Sequence, residues 1–462
     1  MAIKLNRSGS LPQIILFLFI LGVSPLLSAQ EEDETEIVLN EAARYLTARN
    51  YSLALAQFDK LSPEEIEKSE IQLLKASIFN SAGKTAEAKK IANSIIAADN
   101  SNTEALMILA DAAAIEGKDR DRRTYLEKII AINPNHTRAL NDLGNINLGS
   151  RNLRVAAGYF DRTLAAEPNN GEALVGRAVV YRYNREPKAS EQLLNRAANF
   201  YPQWARPLQE RARLYKSAGF YADALSDFEK ALALEPDNYW ILVDHGTLLM
   251  EMDRKKEALA DFNRAINIAP DIFIAYVYSA GIKNEFGDYS GAERDYAKMS
   301  KIRPDYYFAF EGLGLIKMKN KQWAQARDAF LDAYKQAPKE FSYALLAAVN
   351  WMHAGKQTDP KQFLAQVLKT APRDSIEYTM LRLFHDLSGD ADVAEKIEKE
   401  TNIYSKSRML FYLACYYDIR GNVLLANRYY IMVQELDAVA SIEWRLNEWI
   451  LEERGIGLRT GK

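Results

Sequence analysis

The chain has 462 residues, a net charge of −3 at neutral pH and 48% hydrophobic residues. The balance of 59 Lys and Arg against 62 Asp and Glu argues against a general polyanion binder, so nucleic acid is not an expected partner. A single cysteine, Cys415, excludes an intramolecular disulfide. Its neighbours Tyr412, Leu413 and Tyr416 favour a small core residue over a reactive thiol.

The first segment has the layout of a secretory signal peptide. Lys4 and Arg7 form a basic leader, and an apolar run follows at residues 14–23. Ser28 and Ala29 then supply the small residues of a cleavage site, before a polar acidic stretch begins. The order of these features predicts export of the mature protein.

We therefore expect residues 1–29 to be a signal peptide and residues 30–34 an acidic lead-in, with the bacterial periplasm as the destination. The alternative is an uncleaved anchor, because residues 11–29 could almost span a bilayer. After cleavage, no integral membrane segment is expected.

Eight of the fourteen prolines recur at a constant step of 34 residues. They are Pro134, Pro168, Pro202, Pro236, Pro270, Pro304, Pro338 and Pro372. A fixed period of this length is typical of stacked repeats, each of them a pair of helices. Proline suits the start of the next segment because it cannot continue the helix before it. Ten repeats of 34 residues run from 35 to 374.

Two further positions of the repeat have a packing reason. Ten residues after the first seven of these prolines, and after the equivalent positions 32, 66 and 100, stands Gly or Ala, which lets two helices approach closely. After Pro372 the position holds Arg382. These residues are Ala42, Ala76, Ala110, Gly144, Ala178, Ala212, Gly246, Ala280, Gly314 and Ala348. A large aromatic residue follows on the second helix, at Phe58, Phe160, Phe228, Phe262, Tyr296 and Phe330. We expect the small and large residues to interlock.

Seventeen residues after the repeating proline, or after the equivalent position in other repeats, glycine is frequent. The glycines are Gly83, Gly117, Gly219, Gly287, Gly355 and Gly389. Glycine adopts positive φ without strain, so this position predicts the turn that ends each first helix.

The register changes after Pro372, because the key positions of the next repeat occur two residues earlier than the 34-residue period places them. In that frame Ala414, Gly421, Ala426 and Tyr430 take the key positions. The eleventh repeat is then about 32 residues long, and the twelfth runs from 407 to 440.

Residues 441–462 are predicted to be a capping helix and a tail. The segment is amphipathic, with Ser441 as its N-cap. A helix here would cover the last apolar face of the array.

The chain resembles the tetratricopeptide repeat family. Residues 219–236 and 256–270 match its second helix closely, and the resemblance covers residues 35–440. It implies an all-α fold: a right-handed superhelical α-solenoid of about twelve 34-residue helix–turn–helix repeats with a C-terminal capping helix. Most members bind other proteins, so the resemblance also implies protein or peptide partners.

In this family the first helices line a concave surface, and ligands contact repeat positions 2, 5, 9, 12 and 13. Carried over to this chain, the rule gives a basic and amide-rich face in repeats 4 to 6. Its residues are Arg138, Asn141, Asn145, Arg182, Tyr183, Arg206, Gln209, Arg213 and Lys216. Such a face suits carboxylates or acidic peptides.

The same rule gives an apolar stripe in repeats 7 to 10. Its residues are Trp240, Val243, Met250, Ile274, Val277, Phe308, Leu315, Met318, Leu345, Val349 and Met352. If exposed, such a stripe would mark a site that binds a protein. The alternative is that neighbouring helices already bury these side chains.

Catalytic, cofactor and metal sites are not expected. The histidines, at positions 136, 245, 353 and 385, lack the spacing of a zinc site, and no phosphate-binding loop or nucleophile motif occurs. The sequence therefore favours a non-enzymatic scaffold or adaptor of the cell envelope. A periplasmic binding component associated with a solute or transporter is the alternative.

Overall fold

The computed structural model of the chain describes residues 34–355, 359–436, 438–439 and 441–456. The predicted signal peptide, residues 30–33 of the acidic lead-in and the end of the tail at 457–462 lie outside these ranges. The chain divides into two compact units, the N-terminal unit ending at Pro236 and the C-terminal unit beginning at Asp237.

Within the described residues, both units consist of α-helices and no strand occurs. The helices of the N-terminal unit are α1 (Glu34–Thr47), α2 (Tyr51–Gln57), α3 (Pro63–Ile66), α4 (Ser69–Ser81), α5 (Thr85–Ala98), α6 (Thr103–Ile115), α7 (Asp119–Ile132), α8 (Thr137–Gly149), α9 (Leu153–Ala166), α10 (Gly171–Tyr183), α11 (Pro187–Phe200), α12 (Ala205–Ser217) and α13 (Tyr221–Leu234), with a short 3₁₀ helix at Phe58–Lys60.

The helices of the C-terminal unit are α14 (Tyr239–Glu251), α15 (Lys255–Ile268), α16 (Phe273–Glu285), α17 (Tyr289–Ile302), α18 (Tyr307–Lys319), α19 (Trp323–Gln336), α20 (Phe341–His353), α21 (Asp359–Val367), α22 (Ile376–Asp386), α23 (Asp390–Lys399), α24 (Ile403–Ile419), α25 (Val423–Glu435) and α26 (Ile442–Glu453). They form antiparallel pairs that follow the predicted repeats, and the predicted all-α solenoid of repeats is confirmed.

Small residues of the first helices do meet the large residues of the second helices. A Cβ atom added to Gly144 would lie 2.6 Å from the ring of Phe160, and one added to Gly314 would lie 2.6 Å from the ring of Phe330. Both rings are fully buried. Because a side chain at either glycine would overlap an immobile ring, the predicted interlock sets how closely the two helices of a repeat approach.

The turn after each first helix uses one backbone conformation throughout the array. Gly83, Gly117, Gly219 and the other predicted glycines have φ between +70° and +94°. Where the repeat lacks glycine, a different residue adopts the same left-handed region. These residues are Arg49, Arg151, Arg185, Asp253 and Lys321, with φ between +56° and +64°. The turn is therefore imposed by the repeat and not by glycine alone.

The eleventh repeat is shorter because both of its helices are short, and its second helix α23 has 10 residues where α19 has 14. Helix α22 has 11 residues, whereas α20 in the preceding repeat has 13. It ends at Leu387, which takes a left-handed conformation with φ 51°. In the twelfth repeat, Ala414, Ala426 and Tyr430 are buried, as the shifted register predicts. Helix α24 begins at Ile403, four residues before the predicted start of that repeat.

The two units differ in the size of their apolar clusters. In the N-terminal unit, small clusters lie between adjacent helix pairs, such as the one around Leu126 and Leu143. In the C-terminal unit, one continuous cluster extends from Leu315 to Leu451 and includes residues of repeats 9 to 12 and of α26. This unit therefore has a shared core in addition to its neighbour contacts.

Helix α26 begins where the sequence predicts, with the Ser441 hydroxyl accepting a hydrogen bond from the Trp444 amide. It packs against α24 and α25 and also against α18, which lies more than 100 residues earlier in the chain. The Ser342 hydroxyl donates to Glu443 at 2.6 Å, and the rings of Tyr289 and Trp449 are 5.6 Å apart. The helix therefore folds back onto repeats 8 to 10 as well as covering the last repeat.

Candidate functional site

The arginines of the predicted basic face in the N-terminal unit are paired with carboxylates of the same unit. Arg138 on α8 donates to both oxygens of Asp111 on α6 at 2.8 Å. Arg206 on α12 pairs with Glu172 on α10. The face therefore carries compensated charge instead of open positive charge.

Glu210 is the most enclosed of these carboxylates. Its side chain is 9% exposed and pairs with Arg182 at 3.1 Å and with Arg213. Burial acts to raise the pKa of Glu210, but Arg213, Arg182 and Arg206 outweigh it and hold that pKa below its usual value. The carboxylate is thus ionised and bound to two of the predicted ligand-binding arginines.

A second charged cluster surrounds Asp142 on α8. Its carboxylate lies 3.1 Å from the Arg122 guanidinium. Burial raises the pKa of Asp142, despite the opposing effect of Arg122 and Arg138 and with a further contribution from Asp111. Asp142 and Asp111 therefore place two acidic side chains near Arg138.

The amides of the basic face also have structural partners. Asn141 is buried, and its amide donates to Asn170 at 2.9 Å, while Asn170 caps α10. Gln209 is buried and Lys216 is half-buried, and neither lacks a partner. Of the remaining residues, Asn145 is half-buried and Tyr183 is exposed.

The repeat positions of these carboxylates alone would have revealed part of the charge compensation. Asp111 and Glu172 lie at positions 9 and 2 of their repeats, which are among the positions that selected the arginines. Glu210 lies at position 6, outside that set. The sequence interpretation counted the cations of this face and left out their counter-ions.

The apolar stripe of the C-terminal unit separates into buried and accessible residues. The buried members are Val243, Leu315, Met318, Leu345, Val349 and Met352. The half-buried members are Trp240, Met250, Ile274 and Val277. Phe308 is 46% exposed and is the most accessible residue of the stripe. The packing alternative therefore accounts for the buried members.

The chain's own C-terminal helices contribute to this burial. Leu315, Met318 and Val349 belong to the same apolar cluster as Tyr412 of α24 and Leu446 of α26. Resemblance to a repeat family gives no information on such contacts, because they join elements far apart in sequence. An apolar residue at a ligand-contacting position is thus not always available to a ligand.

An open cavity of about 230 Å³ remains beside Phe308 in the C-terminal unit. It lies among helices α16, α17, α18 and α26. Its apolar lining includes Val277, Tyr296, Tyr306, Phe308 and Leu315. Gly312 lies behind Tyr296, where an added Cβ would be 2.5 Å from the ring, so the backbone of α18 approaches that ring closely.

Three polar side chains also line the cavity: Asn284, Glu311 and Arg445. The Tyr343 hydroxyl donates to Glu311 at 2.5 Å. Burial raises the pKa of Glu311 above its usual value, although the Tyr343 hydrogen bond and nearby Arg445 act in the opposite direction. The cavity therefore combines aromatic walls with one partly buried acid and one cation.

The sequence interpretation missed these polar residues for two reasons. Asn284 and Glu311 lie at positions 12 and 5 of their repeats, which are ligand-contacting positions in the family, but only apolar residues were selected there. Arg445 lies on α26, outside the repeats, so no position rule applies to it.

Metal sites, membrane-spanning helices and reactive thiols are other functional features that the described residues could contain. No group of three His, Cys, Asp or Glu side chains there could hold a metal ion. Among the described helices, none has the length and hydropathy needed to cross a membrane. Cys415 is buried beside Tyr430, and burial raises the pKa of its thiol to about 12, which confirms its interpretation as a core residue.

Two family profiles, each described as tetratricopeptide repeat, match residues 141–203 and 216–279. Among solved structures, a tetratricopeptide repeat protein from Parabacteroides merdae is 19% identical, with a TM-score of 0.43 over 53% of this chain and 97% of that one.

Two further structures show similar identity. PilW, described as a type IV pilus biogenesis factor, is 19% identical, with a TM-score of 0.37 over 48% of this chain and 94% of its own. YrrB, described as having an unusual peptide-binding site, is 18% identical, with a TM-score of 0.30 over 40% of this chain and 95% of its own. No curated protein sequence matches the chain significantly.

Proposed function

We propose that this chain, which two tetratricopeptide repeat profiles match, is a non-enzymatic scaffold or adaptor that binds a segment of a protein partner. The proposed binding site is the cavity beside Phe308 in the C-terminal unit. The single observation that supports this choice is an accessible aromatic cavity at family ligand positions, on a face where six of the eleven stripe residues are buried.

The dimensions of the cavity favour a peptide side chain over a free metabolite. Its volume of about 230 Å³ lies below the range of roughly 300–1,000 Å³ that is typical of small-molecule sites. A single large apolar side chain can fill it while the rest of the segment lies over the surrounding helices. The exposed ring of Phe308 would then be partly buried by the partner.

The N-terminal unit is less suited to the electrostatic role that its arginines suggest. An acidic ligand would have to displace Glu210 from Arg182 and Arg213, or Asp111 from Arg138. Such an exchange of one carboxylate for another yields little net free energy. We therefore assign primary recognition to the C-terminal unit.

Site-specific photo-crosslinking in the cells that express the protein tests this proposal. A photoreactive phenylalanine analogue replaces Phe308, and a matched variant carries it at Leu424, which is 82% exposed on α25 and does not line the cavity. We expect a discrete protein adduct from position 308 and none from position 424. Equal yields from the two positions, or no adduct from position 308 of the folded protein, would contradict the proposal.

We also propose that the protein acts in the bacterial cell envelope. The support is the leader at residues 1–29, with its basic start, apolar run and small residues before the acidic stretch. N-terminal sequencing of the protein from a periplasmic fraction should give a start close to residue 29 or 30. An intact N-terminus on cytoplasmic protein would contradict this assignment.

A further inference from the structure

We infer that the cavity beside Phe308 recognises an internal peptide segment in which a large apolar side chain lies close to an Asp or Glu, and that Arg445 binds that carboxylate. This inference rests on the proposed function, since it specifies the partner segment for the same cavity. Three features support it: the apolar walls, the cation at the edge and the hydrogen-bonding capacity of the remaining polar groups.

The apolar part of the cavity suits one large side chain. Tyr306 and Phe308 have their ring centroids 5.5 Å apart, and the Tyr306 ring also makes an edge contact with Phe273 at 5.0 Å. These contacts fix the rings before any ligand binds, so little side-chain entropy would be lost on binding. An aromatic or a branched aliphatic residue would gain the most from this environment.

Arg445 supplies the cation. Its side chain is exposed, and it forms no ion pair or hydrogen bond with any side chain in the described ranges. Other arginines that line the first-helix faces, such as Arg138 and Arg182, are paired with carboxylates. A guanidinium with all its donors available binds a carboxylate with two parallel hydrogen bonds.

The position of Arg445 is fixed by its helix. Glu443, two residues earlier, is 1% exposed and accepts hydrogen bonds from Ser342 at 2.6 Å and from Tyr412 at 3.0 Å. Four residues after Arg445, Trp449 packs on Tyr289, and the Lys319 ammonium lies 4.4 Å from the Trp449 ring centroid. Contacts before and after Arg445 along helix α26 therefore hold this residue beside the cavity. The site is completed because the helix packs back onto the repeats.

The other polar groups favour backbone within a chain over a free terminus. Glu311 accepts one hydrogen bond, from Tyr343, and Asn284 makes no side-chain hydrogen bond with the described residues. Glu311 can accept from a peptide N–H, and the Asn284 amide can bond a peptide N–H or carbonyl, as buried backbone groups require. A terminal carboxylate on the anchored residue itself would lie beside Glu311 and be repelled. A side-chain carboxylate on a neighbouring residue can reach Arg445 instead.

Selection from a random peptide library tests the inference on the full mature chain. The library displays nine random residues between two fixed Gly-Ser segments, so that every peptide is internal. We expect the native protein to enrich peptides with a large apolar residue and an acidic residue within two positions of it. Selection with Arg445→Glu should enrich Lys or Arg in place of the acid. The matched control Arg428→Glu, an exposed arginine of α25 outside the cavity, should give the native preference.

Affinity measurements on the most enriched peptide give the size of the effect. Arg445→Gln should weaken binding about 10- to 100-fold, because a hydrogen bond to a charged group contributes about 1.5–3 kcal/mol. The circular dichroism spectrum and melting temperature should not change, since the side chain is exposed. Raising the salt concentration should weaken binding to the native protein more than binding to Arg445→Gln.

Several outcomes would overturn the inference. They are enrichment without an acidic residue, the same preference in native protein and Arg445→Glu, enrichment only from a library displayed at a free C-terminus, or no enrichment at all. Peptides that lose binding on Phe308→Ala but keep it on Arg445→Glu would overturn the inference and leave the proposed function intact. The crosslinking from position 308 decides the proposed function separately.

Discussion

The first-helix faces of the two units are built on the same repeat but are closed by different means. In the N-terminal unit, arginines such as Arg138 and Arg206 are neutralised by acids on neighbouring helices. In the C-terminal unit, apolar residues such as Leu315 belong to a shared core that extends to α24 and α26. A residue type at a ligand-contacting position therefore does not establish that the residue is free to bind.

Although apolar residues of the first-helix face in the C-terminal unit are buried in the shared core, one cavity among the described residues stays open on it. The cavity beside Phe308 lies next to α26, and that helix also supplies Arg445 to its edge. The C-terminal helix therefore has two roles: it covers part of the apolar face and it contributes to the site that remains. In the N-terminal unit, the compensating charges are distributed over α6, α8, α10 and α12.

The largest effect on stability is expected when the packing of α26 on the apolar face is weakened. Leu446 on α26 is fully buried in the shared core, so Leu446→Ala should lower the free energy of unfolding by about 2–5 kcal/mol. Urea unfolding followed by tryptophan fluorescence reports this directly, because Trp444 and Trp449 lie on the same helix. Leu424→Ala, at an exposed position on α25, is the control and should change stability by less than about 0.5 kcal/mol. Similar losses in both variants would show that α26 does not cover the face.

Removing one counter-ion should open the face of the N-terminal unit. Glu210→Gln removes the carboxylate that pairs with Arg182 and Arg213 and should cost about 1–3 kcal/mol of stability. The variant should also gain salt-sensitive binding of a fluorescent polyglutamate peptide, measured by anisotropy, which the native protein should not bind. Binding of that peptide by the native protein would contradict the compensated face.

The pH dependence of this cluster has a definite sign. Because the folded-state pKa of Glu210 lies below its usual value, its ion pairs stabilise the fold above that usual value. Their contribution should be lost as pH falls through the lowered folded-state pKa. Glu210→Gln should lack this part of the acid destabilisation, and a parallel pH series of urea midpoints checks it.

In the C-terminal unit, the acid in the cavity should behave in the opposite way. Burial raises the pKa of Glu311, so its ionisation favours the unfolded state and stability should fall as pH rises through the usual glutamate range to the folded-state value. Glu311→Gln can still accept the hydrogen bond of Tyr343, so it should flatten this dependence and be slightly more stable at neutral pH. Charged groups that face Glu311, namely Arg445, Glu443 and Glu340, are unchanged in the variant. A steeper fall in stability with pH in the variant would contradict this assignment.

The smallest effect concerns the thiol in the shared core. With the pKa of Cys415 raised to about 12 by burial, the native protein at neutral pH should not react with N-ethylmaleimide over hours. The same thiol should react within minutes in urea, as followed by mass spectrometry. Rapid labelling of the native protein would show that the core around α24 is open.

The sequence was sufficient for the features that repeat. The pairing of Gly144 with Phe160 and the left-handed turn at Gly219 follow from local periodicity, because each depends on residues within one helix pair. The shortened eleventh repeat was also visible, since the small and aromatic positions move together by two residues. The N-cap of α26 at Ser441 is a local signal as well.

Two features of the site could not be read in this way. The contact of Trp449 with Tyr289 joins residues 160 positions apart, and nothing in either segment specifies the other. Counter-ions such as Glu210 were present in the sequence, but their pairing depends on which helices face each other across repeats. Local patterns predict which residues share a helix face, whereas long-range packing decides what covers that face.

The most direct test of this account is to crosslink the folded-back helix to the repeats that it covers. A photoreactive phenylalanine analogue in place of Tyr289 would lie next to Trp449, since the native rings are 5.6 Å apart. Digestion and mass spectrometry of the irradiated, purified protein should identify an intramolecular adduct with the peptide that contains residues 442–453. If no adduct with that peptide forms, α26 does not lie on repeats 8 to 10, and neither the covered face nor the completed cavity exists as described.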